Sequence, residues 1–102
     1  MATTKEYYEF IKEQLGGLEA VSFRAMMGEY VLYYKGKVVG GIYDDRLLFK
    51  PVNALKELLP NASTALPYPG AKEMLLFEEV DDKDLIKSAV LAVYNDLPQG
   101  RK

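Results

Sequence analysis

The chain has 102 residues, with 13 Lys and Arg against 15 Asp and Glu, a net charge of −2, and no His, Cys or Trp. That length gives one domain over 1–102, which buries about 65% of the surface its unfolded chain exposes, enough for a core without staples. The absences exclude His–Cys zinc sites, disulfide frameworks, thiol nucleophiles and triads with a His base, and the acidic balance argues against a domain built to hold phosphate backbones.

The elements follow from periodicity. Thr3 and Glu6 stand at capping-box spacing, and Tyr7, Phe10, Ile11, Gln14, Leu15 and Leu18 keep the i, i+3, i+4 rhythm of a helix, with Gln14 its one polar lapse. Gly16-Gly17 stops it. The period then drops to two. Val21, Phe23, Ala25 and Met27 alternate with Ser22, Arg24 and Met26 as a first strand, which Gly28 interrupts as a bend or bulge. Tyr30 to Tyr34 is a second strand, Lys35-Gly36-Lys37 a hairpin turn, and Val38 to Tyr43 a third strand. Asp44-Asp45-Arg46 turns again into a fourth at Leu47 to Lys50. Connections this short make neighbours antiparallel.

Pro51 opens a short helix with Leu55, Leu58 and Leu59 on one side, and Pro60 closes it. Residues 60–71, with three prolines and a glycine, form an ordered loop. Lys72 to Phe77 is a fifth strand. Asp81 caps a last helix, whose stripe is Leu85, Ile86, Ala89, Val90, Val93, Tyr94 and Leu97, and residues 99–102 fray. The order α-β-β-β-β-α-β-α predicts an α+β fold with an antiparallel sheet packed by helices. The middle strands are apolar on both faces. Helices one and three cover one face; the second helix, the 60–71 loop or a second subunit covers the other, which motivates a homodimer. No signal peptide and no membrane-spanning run is legible, so the expected location is the cytoplasm, with no membrane partner.

The candidate chemistry lies in few places. Arg24 stands on the strand face opposite Phe23 and Ala25, where a guanidinium grips a carboxylate or phosphate, or simply pairs with Glu29 or another acid. Met26-Met27 is either an adaptable contact surface or, by the plainer reading, core filling at a strand end. Gly28 permits a special backbone angle. Gly40-Gly41 admits a close approach, by a ligand or by the protein's own packing. Lys50, Tyr68 and Lys72, together with Arg24, are candidates for a small anion-binding cleft, against the reading of snorkelling lysines and a tyrosine lid. Asp44-Asp45 and the acidic run Glu78 to Asp84 lack metal-ligand spacing, so no metal, cofactor or catalytic residue is assigned. Eight tyrosines would suit a base-stacking sheet only in a basic groove, and this chain is acidic.

The run Phe23-Arg24-Ala25-Met26-Met27-Gly28-Glu29-Tyr30, then Gly36, then Gly41 to Lys50, resembles the N-terminal domain of the TfoX/Sxy family. Leu66 to Met74 resembles its small stand-alone members. The resemblance implies an α+β fold like that of secretion chaperones, with a tendency to dimerise. It also implies a non-enzymatic role, because the longer members regulate competence genes together with a transcription activator. It carries over Arg24, Met27, Gly28 and Lys50 as pattern positions, none of them catalytic. The second domain of those longer proteins has no counterpart in these residues. The leading expectation is therefore a regulatory module that binds a protein partner, a transcription regulator among the candidates. Against it stands a small-ligand or anion-binding protein using Arg24, Lys50, Tyr68 and Lys72, with Glu29 as a base if it were an enzyme. Direct nucleic-acid binding ranks third.

Overall fold

The computed structural model describes residues 3–97, and the expected fraying of 99–102 lies outside them. Its elements run α1 (Lys5–Gln14), β1 (Val21–Met26), β2 (Glu29–Tyr34), β3 (Lys37–Ile42), β4 (Leu47–Phe49), α2 (Asn53–Leu58), β5 (Thr64–Ala65), β6 (Met74–Phe77) and α3 (Lys83–Asp96). This is the expected α+β order, with one two-residue strand added inside the stretch read as a loop. The strands form a six-stranded sheet in the order β1-β2-β3-β4-β6-β5, every neighbouring pair antiparallel. No helix among the described residues is long and apolar enough to cross a membrane.

Three two-residue turns build the first four strands. Met27-Gly28, Lys35-Gly36 and Asp44-Asp45 each have φ positive at both positions, which is what a type I′ turn requires and what matches the twist of the flanking strands. Gly28 therefore makes a tight hairpin turn. It does not bend or bulge a continuing strand, because Met26 already pairs with Glu29 across the turn. The irregularity lies instead between Leu32 and Tyr33, where the β2–β3 register shifts by one residue opposite Val39.

Register sorts the side chains onto two faces. Phe23, Leu32, Gly40, Phe49 and Leu75 stand side by side across five strands, and one residue along stand Arg24, Val31, Gly41, Leu48 and Leu76. The first row faces the helices. Leu32, Phe49 and Leu75 join Ile11 and Leu15 from α1 and its cap, Leu55 from α2, and Ile86, Ala89, Val90 and Val93 from α3 in one core. Phe49 meets Phe77 edge to face at 5.7 Å. Each such side chain, fully buried, contributes about 1.5–3 kcal/mol. Tyr8 of α1 stacks on Tyr30 at 3.8 Å and meets Phe23 edge-on at 5.4 Å, which seats α1 on β1 and β2.

The N-caps of α1 and α3 lie one residue beyond the sequence reading, and α2 starts at Asn53, two residues after Pro51. The α1 cap is Thr4, whose hydroxyl accepts from the Tyr7 amide, and the α3 cap is Asp82, which accepts from Leu85; Thr3 and Asp81 were expected. Gln14, the polar lapse in the α1 stripe, is buried and donates to the Val80 carbonyl at 2.7 Å, tying α1 to the approach to α3.

The second row faces away from the helices. Val31 and Leu48 are buried there, outside the main core. All three helices contribute to the opposite side, so part of the cover comes from the segment after β5. Arg46 draws it in, donating from Nη2 to the Leu66 carbonyl and from Nε to the Tyr43 carbonyl, each at 3.1 Å. Pro67, next along, is buried.

Candidate functional site

The β1–β2 turn and this crossing segment bound an open cleft of about 630 Å³ on the outer face. Val31 lines it from β2, Tyr43 from the end of β3, and Pro67 and Tyr68 from the crossing segment; Met26, Met27 and Glu29 line it at the turn.

Each wall has a local cause. Gly41 lies two residues before Tyr43, on the same face. A Cβ at Gly41 would come within 2.6 Å of the Tyr43 ring and 2.7 Å of the Tyr30 carbonyl oxygen, so the missing side chain lets Tyr43 lie back over the strand. The ring then meets Tyr68 at 6.3 Å and 59°. Of the two readings of Gly40-Gly41, Tyr43 and the backbone of β4 supply the close approach.

Met27 is the most exposed large apolar side chain described, at 97%, and Met26 is half exposed. The plainer expectation for this pair, core filling at a strand end, is therefore corrected: a hairpin tip turns both into solvent. Met27 also has φ +53°. A left-handed backbone costs a residue with a Cβ about 1 kcal/mol, and an exposed side chain recovers none of it through burial. Tyr68 is 59% exposed.

Glu29 fixes the turn to the rest of the molecule. Its Oε1 accepts from the Thr3 amide at 3.2 Å, the Thr3 hydroxyl at 2.7 Å and the Asp44 amide at 3.0 Å. The Thr3 amide also reaches the Gly28 carbonyl. Asp45 Oδ1 accepts from the Thr4 amide at 2.8 Å and its hydroxyl at 3.1 Å. One clasp thus joins the lead into α1, the β1–β2 turn and the β3–β4 turn. It also explains the displaced cap, since the Thr3 hydroxyl is engaged with Glu29. Hydrogen bonds to a charged acceptor contribute about 1.5–3 kcal/mol.

Of the residues singled out from sequence, Met26, Met27, Glu29 and Tyr68 come together in this cleft, with Gly28 in the turn that forms its rim. Arg24 does not line it. It is exposed and borders a separate shallow groove with Ser22, Phe23, Tyr33 and Gly36. Lys50 follows β4 at the end away from the Asp44-Asp45 turn, and Lys72 precedes β6 at an exposed position; neither lines the cleft. Tyr43, Val31 and Pro67 were not singled out. For Tyr43 a signal existed, an aromatic two residues after a strand glycine.

The TfoX N-terminal domain family pattern matches residues 13–93. A Spirochaeta aurantia protein called "Uncharacterized 12.7 kDa protein in trpE 5'region" is 36% identical over 107 residues, an alignment covering 100% of this chain and 93% of that protein. No solved structure matches.

Two outcomes follow from the geometry. Met27→Asn places a preferred residue before Gly28 in a type I′ turn, so the variant gains about 1 kcal/mol; urea unfolding checks this, and a loss of stability contradicts it. The Tyr43 hydroxyl titrates above its ordinary 10.0, chiefly because burial penalises the phenolate, with Tyr68, Glu29 and Tyr33 adding repulsion. The folded state then holds a proton that the unfolded chain has already released. This contribution to stability is complete below pH 10 and is lost as pH rises through the folded-state value. Phenolate absorbance shows the late titration, and Tyr43→Phe makes the alkaline loss of stability shallower.

Proposed function

The chain belongs to the TfoX N-terminal domain family, and on that premise we propose that it is a non-enzymatic, regulatory protein-interaction module whose contact surface is the cleft at the Met27-Gly28 turn. The observation that carries this reading is Met27 itself. A long apolar side chain stands 97% exposed, at a backbone angle that Asn, Asp or Gly would hold at lower cost. A position unfavourable for both burial and backbone, kept beside Met26, Tyr43 and Tyr68, is what a contact surface requires. Thioethers adapt to varied partner shapes, and tyrosines supply contact area with little rotamer entropy to lose.

A partner that regulates transcription agrees with the role the resemblance implies. The alternative, an anion-binding protein built on Arg24, Lys50, Tyr68 and Lys72, draws less support, because only Tyr68 of these lines the cleft. The net charge of −2 weighs against direct binding of nucleic acid.

Affinity capture from native cells with the tagged protein and its Met27→Lys variant, which matches the residue type of the Lys35-Gly36 turn, tests the reading. The turn is exposed, so the variant keeps the fold, checked by circular dichroism. A protein retained by the parent and lost by the variant is the expected result. An identical set of captured proteins in both overturns the reading.

A further inference from the structure

The cleft is apolar in its walls but not neutral. The Tyr43 and Tyr68 ring centroids lie 6.3 Å apart with their planes at 59°, so the two rings meet and form one continuous aromatic surface on the cleft. Glu29 lines the same space as a carboxylate. The three hydrogen bonds it accepts all fall on Oε1, and among the described residues Oε2 accepts none. Asp44 and Asp45 stand in the adjoining turn. The carboxylate also acts on the Tyr43 hydroxyl, which places its charge within electrostatic reach of the ring.

No cation of the described chain neutralises this group. Lys and Arg are absent from the lining. Arg24, nearest to Glu29 in sequence and opposite Val31 on the same face, is exposed and borders the separate groove with Tyr33 and Gly36, and Arg46, which follows the adjoining turn, is directed toward the carbonyls of Tyr43 and Leu66. The lysine–ring contacts fall elsewhere: Lys12 on Tyr8, Lys35 on Tyr34 and Tyr94, and Lys37 on Tyr94. Two aromatic faces, a carboxylate oxygen and polarizable sulfurs form the negative half of a cation site. A guanidinium fits it better than an ammonium, because it is planar, weakly hydrated, stacks on rings and donates in a fork to a carboxylate.

We propose that the cleft of Tyr43, Tyr68, Glu29, Met26 and Met27 is a recognition pocket for an arginine side chain of a partner protein. The guanidinium lies against Tyr68 and Tyr43 and donates to Glu29 Oε2, while the methionines cover the arginine's methylene stem and the apolar residues beside it. This rests on the interaction reading above and gives that surface its chemistry.

The test titrates the protein with capped tripeptides Leu-Arg-Leu, Leu-Lys-Leu and Leu-citrulline-Leu, following the methionine methyl and tyrosine ring signals by NMR. Citrulline keeps the shape of arginine without its charge. Saturable shifts at Met26, Met27, Tyr43 and Tyr68 are expected with the arginine peptide, with weaker binding by lysine and weaker still by citrulline. Tyr68→Ala, which removes an exposed ring outside the core, lowers the arginine affinity about 2- to 30-fold. Glu29→Gln lowers it as well, and its hydrogen-exchange pattern separates this loss from loosening of the clasp. Equal binding of the arginine and citrulline peptides overturns the cation proposal while leaving the interaction surface standing. Non-saturating shifts spread over the acidic surface, unchanged by Tyr68→Ala, overturn it as well. Failure of the interaction reading is read separately, from the Met27→Lys capture.

Discussion

Strand β2 sets the terms for the rest of the molecule. Its pleat sends Tyr30, Leu32 and Tyr34 to the helices and Glu29, Val31 and Tyr33 to the other face, and a slip of one residue would exchange the two sets. The inward set fixes where α1 and α3 sit, through the Tyr8–Tyr30 stack and the Tyr34–Tyr94 edge contact at 5.1 Å. The outward set supplies the carboxylate and one wall of the cleft. Core and site are therefore two sides of one register. Tight turns on both flanks hold that register, and so does the Glu29 clasp, which uses a residue of the outer set to fasten the lead into the first helix.

At the Met27-Gly28 turn the residue present departs from what stability favours. Lys35-Gly36 and Asp44-Asp45 carry polar or charged residues, as exposed turns usually do. Met27 breaks the pattern with an apolar residue in a left-handed conformation. The sequence is locally consistent nearly everywhere else, and a break of this kind is where a site is expected. The surrounding geometry agrees. Gly41 gives up packing area so that Tyr43 can lie along the strand, and Arg46 spends its guanidinium on two carbonyls that bring Pro67 and Tyr68 alongside.

The sequence carried the elements well because short periodic strands between Gly- and Asp-bearing turns leave few alternatives. What escaped it was non-local. Thr3 has the spacing of a cap, but its hydroxyl is engaged by Glu29 from another element, so Thr4 caps instead. Met26 and Met27 continue the alternation of β1, and nothing in that alternation says that the strand ends at Met26. β5 has two residues, too few for a period. Arg24, Lys50 and Lys72 are the residue types of an anion cleft, yet composition does not say which end of the sheet each occupies. The cleft formed where two aromatic rings and a carboxylate met at the opposite end from Lys50. Glu29, Met27 and Tyr68 were legible as candidates; their meeting with Tyr43 depends on the crossing segment, whose path no pattern encodes.

On the proposed function, partners meet this protein at the Met27-Gly28 end of the outer face. A photo-activatable side chain in place of Met27 tests it most directly, with the same group in place of Glu9, an exposed position on α1, as the control. A covalent adduct with the partner is expected from position 27 and none from position 9. Adducts from position 9, with position 27 silent, would contradict it.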